Sequence, residues 1–254
     1  MLLAVDIGNT NTVIGLYQGT KLAHHFRIES AKGRTVDEYT ALLLSLLSMK
    51  HVAPDAINGG IVASVVPPLT ETLVESMKEA FGRAPRVVGP GIRSGMPILY
   101  ENPREVGADR IVNAVAAYER FHAGVIVVDF GTATTFDAVT PKGEYAGGAI
   151  APGLIISADA LYEHAAKLPR VEITRPKTVV GKNTVASMLA GLYFGYVGLV
   201  DEIVSRMARE VGYPVKVIAT GGLAPLVATE SRTIEDADEL LTLEGLRLLY
   251  DRNR

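Results

Sequence analysis

The chain reads as an α/β protein made of two related halves, and three observations carry that reading. The first is the stretch LLAVDIGNTNTVIGL at residues 2–16, where an apolar run ends in Asp6, a polar glycine turn follows, and apolar residues resume at Val13. The second is its echo: Val5-Asp6-Ile7-Gly8-Asn9-Thr10-Asn11-Thr12 returns as Val128-Asp129-Phe130-Gly131-Thr132-Ala133-Thr134-Thr135, an offset of 123 residues and close to half the chain. The third is a glycine pair, Gly221-Gly222, set between a short apolar run at 215–219 and a helical pattern. The repeat divides the chain into an expected N-terminal half at 1–122 and a C-terminal half at 123–254.

Each turn combines one carboxylate, a permissive glycine and several hydroxyl or amide donors. Asn and Gly are the default residues of a hairpin turn, so one copy alone specifies little. Two copies at this spacing suggest a pair of acidic turns that grip phosphate, because glycine lets backbone approach a ligand and free amides bind its oxygens. Asp6 facing phosphate directly would repel it, which implies an intervening magnesium ion or water. Two glycines opening a helix, as at 221–222, let a flat adenine lie against backbone.

In order, the sequence predicts a third strand at 21–29 and a helix from Thr35 to about Met49. Thr35 with Glu38 makes a capping box, and Leu42, Leu43, Leu46 and Leu47 form a stripe. A strand at 57–66 ends at Pro67-Pro68, and an amphipathic helix follows at 69–81. Residues 88–97 hold three glycines, but prolines interrupt them and the spacing misses GxGxxG, so they read as a loop. No GxxxxGK[ST] occurs, which removes the P-loop kinases. Asn102-Pro103-Arg104-Glu105 signals a helix start, with the helix running to about Phe121. On it Asp109 and Asn113 share a face, beside the small residues Gly107 and Ala108, while Arg110 points about 100° away. Asp109-Arg110 is either a solvated step or a functional one, and the small apolar neighbours favour function. Strands are expected at 125–129, 134–140 and 144–152, and helices at 154–166 and 185–211, the latter capped by Asn183 or Thr184. Gly191, Gly195 and Gly198 line one side of that long helix, suited either to packing within the chain or to a subunit interface. A last strand at 215–219 precedes the glycine pair, and the tail from Leu240 to Tyr250 is expected to close as a helix over the second half.

Composition narrows the classes. A net charge of -3 without Lys/Arg blocks gives no electrostatic footprint for nucleic acid. With no cysteine, disulfides and Cys-ligated zinc are excluded, and the five histidines lack a ligand spacing. Met1 leads straight into the first strand, and the longest helical apolar run, 185–200, is shorter than the roughly 20 residues that span a bilayer. A soluble cytoplasmic protein without membrane partners is expected.

The acidic turns and glycine pair resemble the actin-like and sugar-kinase superfamily. At finer grain the chain resembles type III pantothenate kinase, through DIGNTNTVIGL at 6–16, RTVDEYTALL at 34–43, ENPREVGADRIVNAVAAY at 101–118, VDFGTATTFDAV at 128–139, YAGGAIAPGL at 145–154, GKNT at 181–184 and TGGLAPLVA at 220–228. It departs at Leu189-Ala190, where relatives often carry Gln before a small residue. The resemblance implies two duplicated actin-like (ribonuclease H-like) half-domains with ATP in the cleft between them, and transfer of the ATP γ-phosphoryl to pantothenate as the first step of coenzyme A biosynthesis. It places Asp6, Ile7, Gly8, Asn9, Thr10, Asn11, Thr12, Val13 and Thr132 on ATP. It places Tyr100, Gly107, Ala108, Asp109 and Arg110 on pantothenate, with Asp109 as base and Thr184 reaching the substrate across a homodimer. Asp129 would hold a monovalent cation, potassium or ammonium, with magnesium accompanying ATP. Two alternatives are kept: a regulatory protein like the Bvg accessory factors, which some relatives are described as, and another small-molecule kinase of the same fold. The absence of cysteine argues against the zinc-containing sugar kinases.

Overall fold

The computed structural model describes residues 1–254. The chain opens with β1 (Leu2–Ile7), β2 (Asn11–Gln18) and β3 (Lys21–Glu29), then α1 (Val36–Ser48), β4 (Gly59–Ser64), α2 (Pro67–Phe81) and the two-residue β5 (Arg86–Val87). These strands form one sheet in the order β3-β2-β1-β4-β5, with β1 antiparallel to β2 and parallel to β4. β1 lies between neighbours and under helices, which is why its apolar residues are continuous rather than alternating: Leu2 to Val5 and Ile7 are all buried. The predicted capping box on α1 is present, Thr35 Oγ1 accepting from Glu38 N and Glu38 Oε2 accepting from Thr35 N. Tyr39, Leu43 and Leu47, one helical turn apart, are the fully buried stripe, with Leu42 and Leu46 partly buried beside them. Pro67-Pro68 does not merely end the strand. The prolines occupy the first turn of α2, where a missing N–H costs nothing, and Gly82 ends the helix in the left-handed conformation at φ +68°.

The helix signal at Asn102 is met differently from expectation. Asn102 Oδ1 accepts from Arg104 N and Asn102 Nδ2 donates to Glu105 Oε1, but these close only a single 3-10 turn, Pro103–Glu105. Val106 is extended, and the helix proper, α3 (Ala108–Phe121), begins two residues later. The second sheet then comprises β6 (Gly124–Phe130), β7 (Ala133–Val139) and β8 (Tyr145–Pro152), followed by α4 (Leu154–His164) and α5 (Thr184–Val211), β9 (Val215–Thr220), α6 (Ala224–Ala228) and β10 (Asp236–Ala237). Its order, β10-β9-β6-β7-β8, is the first sheet's order read from the other edge: three antiparallel strands, then two added in parallel. The duplication predicted from two eight-residue motifs therefore extends to the whole of each sheet. Asn183, not Thr184, caps α5, its Oδ1 accepting from Ala186 N. At 28 residues α5 is long and apolar enough to cross a membrane by length and composition. One face nonetheless packs in the core, where Tyr193, Tyr196, Val197, Val200 and Val204 meet Ile126, Val128, Phe130 and Phe136.

α7 (Leu241–Arg252) corrects a further expectation. It packs on β1, β2 and β4 of the first sheet rather than closing over the second half. Gly15 of β2 leaves room for Leu243, Gly59 of β4 for Tyr250, and Gly245 lets α7 lie against the backbone of Val112 in α3. Thr242 Oγ1 donates to Asn113 Oδ1 at 2.7 Å, fastening α7 to α3. The compact units are accordingly Met1–Met96, Glu101–Ala116 and Leu241–Arg254 on one side, and Pro97–Tyr100 and Ala117–Leu240 on the other, not 1–122 and 123–254.

Candidate active site

In the first unit the turn between β1 and β2 is closed by Gly8 N donating to Asn11 O at 3.0 Å. A Cβ on Gly8 would lie 3.0 Å from that same oxygen. Asn9, Thr10 and Asn11 are exposed, whereas the Ile7 side chain belongs to the core. Thr12 is fully buried, with Oγ1 hydrogen-bonded to Ser30 Oγ at 2.8 Å, and Ser30 N donates to Thr10 O. The polar run thus splits by position: residues 9–11 present their groups outward, while the Thr12 hydroxyl fastens the turn to the end of β3.

The second unit repeats the device in a shorter form. Ile7 pairs with Thr12 in the first hairpin, but Phe130 pairs with Thr134 in the second, so the second loop is one residue shorter and Thr134 stands where Thr12 stands. Thr134 is likewise buried, its Oγ1 hydrogen-bonded to Tyr196 Oη of α5. Thr132 stays exposed at the turn. Two other segments meet this turn. Gly153, at the start of α4, donates its N–H to Thr132 O, and a Cβ there would fall 2.2 Å from that oxygen. Gly221, at φ +87°, leaves the space beside Asp129, where a Cβ would come 2.8 Å from Asp129 Oδ1 and 2.7 Å from Phe130 O. The glycine pair is therefore held against the second acidic turn, and a carboxylate oxygen and a backbone carbonyl converge beside Gly221. Oxygen donors of this kind suit hard cations. No group of three or more His, Cys, Asp or Glu side chains gathers as a metal site, at this turn or elsewhere.

Residues 107–110 form the start of α3. Asp109 Oδ1 accepts from Arg110 N at 2.8 Å, and a Cβ on Gly107 would lie 2.6 Å from the same carboxylate oxygen. Gly107 is thus the space into which the Asp109 carboxylate folds. Burial pushes the Asp109 carboxyl above its ordinary range, and the Arg110 amide and guanidinium pull it back only in part. Arg110 is itself 6% exposed, and Asn113, expected on the Asp109 face, is committed to Thr242. The solvated Asp-Arg step is thereby ruled out. Tyr100 is half-buried in the second unit, and Thr184 is exposed as the first residue of α5.

Sequence reasoning missed what stands behind Tyr100. The Tyr100 and Tyr145 rings are 6.3 Å apart, and Tyr145 Oη donates to Asp137, which is fully buried. The available signal was an aspartate inside the apolar strand pattern of FDAV, a residue that a core strand otherwise excludes.

A family model described as type III pantothenate kinase matches residues 2–206. A type III pantothenate kinase of Myxococcus xanthus (strain DK1622) is 60% identical over 253 residues, covering 100% of this chain and 99% of that protein. That of Geobacter sulfurreducens is 59% identical over 254 residues, covering both chains completely at 100%. Among solved structures, a protein described as a Baf family transcriptional activator from Campylobacter jejuni superposes with a TM-score of 0.62 at 18% identity, covering 99% and 98% of the two chains. An inorganic polyphosphate/ATP-glucomannokinase from Arthrobacter sp. strain KM gives 0.52 at 14%, covering 100% and 99%. At such identities these structures speak for the duplicated actin-like fold alone. The full-length sequence matches go further, and on them this chain belongs to the type III pantothenate kinase family.

Proposed function

We infer that this protein transfers the γ-phosphoryl group of ATP to the primary hydroxyl of pantothenate. The observation that carries the assignment is Asp109, a carboxylate held at the start of α3 in space reserved by Gly107, with its proton affinity raised by burial. Phosphoryl transfer asks the protein for positioning and charge neutralisation more than for covalent chemistry. Asp109 accepts the hydroxyl proton as the γ-phosphoryl departs. A base with raised affinity does this better than an ordinary carboxylate, because it is closer to the operating pH. Arg110 and Tyr100, with Gly107 and Ala108, hold the pantothenate; Asn9, Thr10 and Asn11 hold phosphate oxygens from the exposed tip of the turn that Asp6, Ile7, Gly8, Thr12 and Val13 build, joined by Thr132. Asp6 would hold the magnesium that accompanies ATP, whose charge would offset that of the phosphates. Asp129 and the neighbouring Phe130 carbonyl suit potassium or ammonium, whose charge would offset that of the phosphates. Thr184, exposed at the tip of α5, reaches substrate in a partner subunit of a homodimer. The site is that of a cytoplasmic enzyme of coenzyme A biosynthesis.

The test is coupled turnover of purified protein with ATP, magnesium and potassium against pantothenate and simple sugars. Turnover on pantothenate alone is expected, and none on pantothenate overturns the reading in favour of a regulatory role or another acceptor. Asp109→Asn should lose about a hundredfold to ten-thousandfold in kcat, the usual contribution of a positioned base. Turnover in tetraalkylammonium buffer should rise on adding potassium or ammonium, and equal rates with and without them would remove the cation from Asp129.

A further inference from the structure

Tyr100 is held in place by a small polar device inside the second unit. Residues Pro97–Tyr100 belong to that unit although they are distant in sequence from its sheet. Leu99 N donates to Tyr145 O, and Tyr145 N donates to Pro97 O, both at 2.8 Å, so this short segment runs along the start of β8 as a parallel bridge between Ile98 and Tyr145. β8 is irregular at this point. Ala138 pairs with Gly147 but Val139 pairs with Tyr145, leaving Ala146 as an extra residue. Gly147 takes φ +117°, which a residue with a side chain adopts only under strain, and a Cβ there would touch the Tyr100 ring at 3.7 Å. The bulge therefore turns the Tyr145 ring against Tyr100 at 6.3 Å with the planes tilted by 58°.

Behind Tyr145 lies Asp137, 0% exposed. Its Oδ1 accepts from Tyr145 Oη at 2.7 Å and its Oδ2 accepts from Thr135 Oγ1 at 2.9 Å. A valine at this strand position would suit the core better, since a buried carboxylate is expensive even when hydrogen-bonded. What the carboxylate supplies is a short, directional acceptor that fixes the rotation of the Tyr145 ring. We propose that Asp137 and Tyr145 are positioning residues for the acceptor substrate: they orient Tyr100 and so set the affinity for pantothenate without touching it. The proposal rests on Tyr100 being a pantothenate contact.

The experiment compares Tyr145→Phe, Asp137→Asn, their double variant and Tyr100→Ala, measuring kcat, KM for pantothenate, KM for ATP and melting temperature. Phe keeps the ring and removes only the hydroxyl, so it should fold as the parent does. Tyr145→Phe is expected to raise KM for pantothenate by roughly threefold to tenfold, the worth of one hydrogen bond, with kcat and KM for ATP little changed. Asp137→Asn keeps a neutral amide oxygen as acceptor, so it should raise KM for pantothenate by less, and the double variant should be no worse than Tyr145→Phe, because Phe has already removed the bond that Asn only weakens. If Tyr100→Ala raises KM for pantothenate while Tyr145→Phe leaves it alone, the positioning role is overturned and the Tyr100 contact stands. A parallel rise of both KM values with a lowered melting temperature likewise overturns it in favour of plain core stabilisation. If Tyr100→Ala itself leaves KM for pantothenate unchanged, the substrate contact is wrong and the proposal falls with it.

Discussion

Gly107 is the residue on which the proposed base most directly depends. An alanine Cβ at 107 would sit 2.6 Å from Asp109 Oδ1, so the carboxylate must swing away from its bond to Arg110 N. Gly107→Ala should therefore lower kcat at least tenfold, since a misplaced catalytic group loses about that much or more, while the melting temperature stays near the parent's. Steady-state rates with a thermal melt check both halves. Asp109 itself should behave oppositely in rate and stability. Its folded affinity for a proton is raised, so the neutral form is favoured in the folded state and stability is lost as pH rises through the folded pKa. Asp109→Asn removes that loss, so the variant, though nearly inactive, should melt above the parent at neutral pH. The difference should shrink as pH falls toward the ordinary aspartate range, and a variant that melts lower at neutral pH would contradict the burial argument. Asp109 was legible in the sequence because Gly107 and Ala108 sit beside it. Its bond to the Arg110 amide was not, because that depends on where the helix begins.

At the scale of elements, helix ends decided what could be read. Thr35 and Glu38 specify the start of α1 reciprocally, and the structure has that box as written. Asn102, Pro103 and Glu105 form an equally plausible signal that serves only one 3-10 turn, because extended Val106 and flexible Gly107 interrupt the helix before α3. β5 and β10, two residues each, lack any pattern long enough to see. α5 shows how a long element is tied to later parts of the chain. Tyr193 Oη donates to Leu226 O of α6, and about two turns further along, buried Asp201 accepts from Ser231 Oγ at 2.6 Å, Thr233 Oγ1 at 2.9 Å and the amides of Arg232 and Thr233. Burial raises the Asp201 carboxyl, but these donors outweigh it and leave the group below its ordinary range. The stability it contributes is thus present above the ordinary aspartate pKa and lost as pH falls through the depressed one. Asp201→Asn should cost about 2 kcal/mol at neutral pH, the scale of hydrogen bonds to a charged acceptor. Chemical denaturation at neutral and acid pH measures it, with the gap to the parent narrowing in acid.

At the scale of the whole molecule, the duplicated sheets were legible from Asp6 and Asp129 and their turns, while the placement of the last helix was not. Leu241, Leu243, Leu246 and Leu249 announce an amphipathic helix, but an apolar stripe does not name the sheet it covers. The glycines of α5 suit either packing within the chain or a subunit interface. A Cβ on Gly191, Gly195 or Gly198 would meet nothing of this chain within 4 Å, and each glycine costs the helix about 1 kcal/mol relative to alanine. Packing within the chain therefore does not require glycine at these positions, and the open face they leave is compatible with the proposed homodimer. Gly195→Arg should leave the monomer fold intact or slightly firmer and abolish association, together with turnover if Thr184 serves a partner's site. Light scattering with a parallel assay tests this, and an active dimeric variant would sink it. The return of α7 to β1 also has a meaning for synthesis. Residues 241–252 are made after all of the second unit, yet they supply the buried leucines over the first sheet and the Thr242 bond to Asn113. A growing chain emerges at about 5–20 residues per second. The sheet that the ribosome makes first must therefore wait, partly bare, until translation has passed residue 252, and a prematurely terminated chain would present that uncovered sheet to chaperones and proteases.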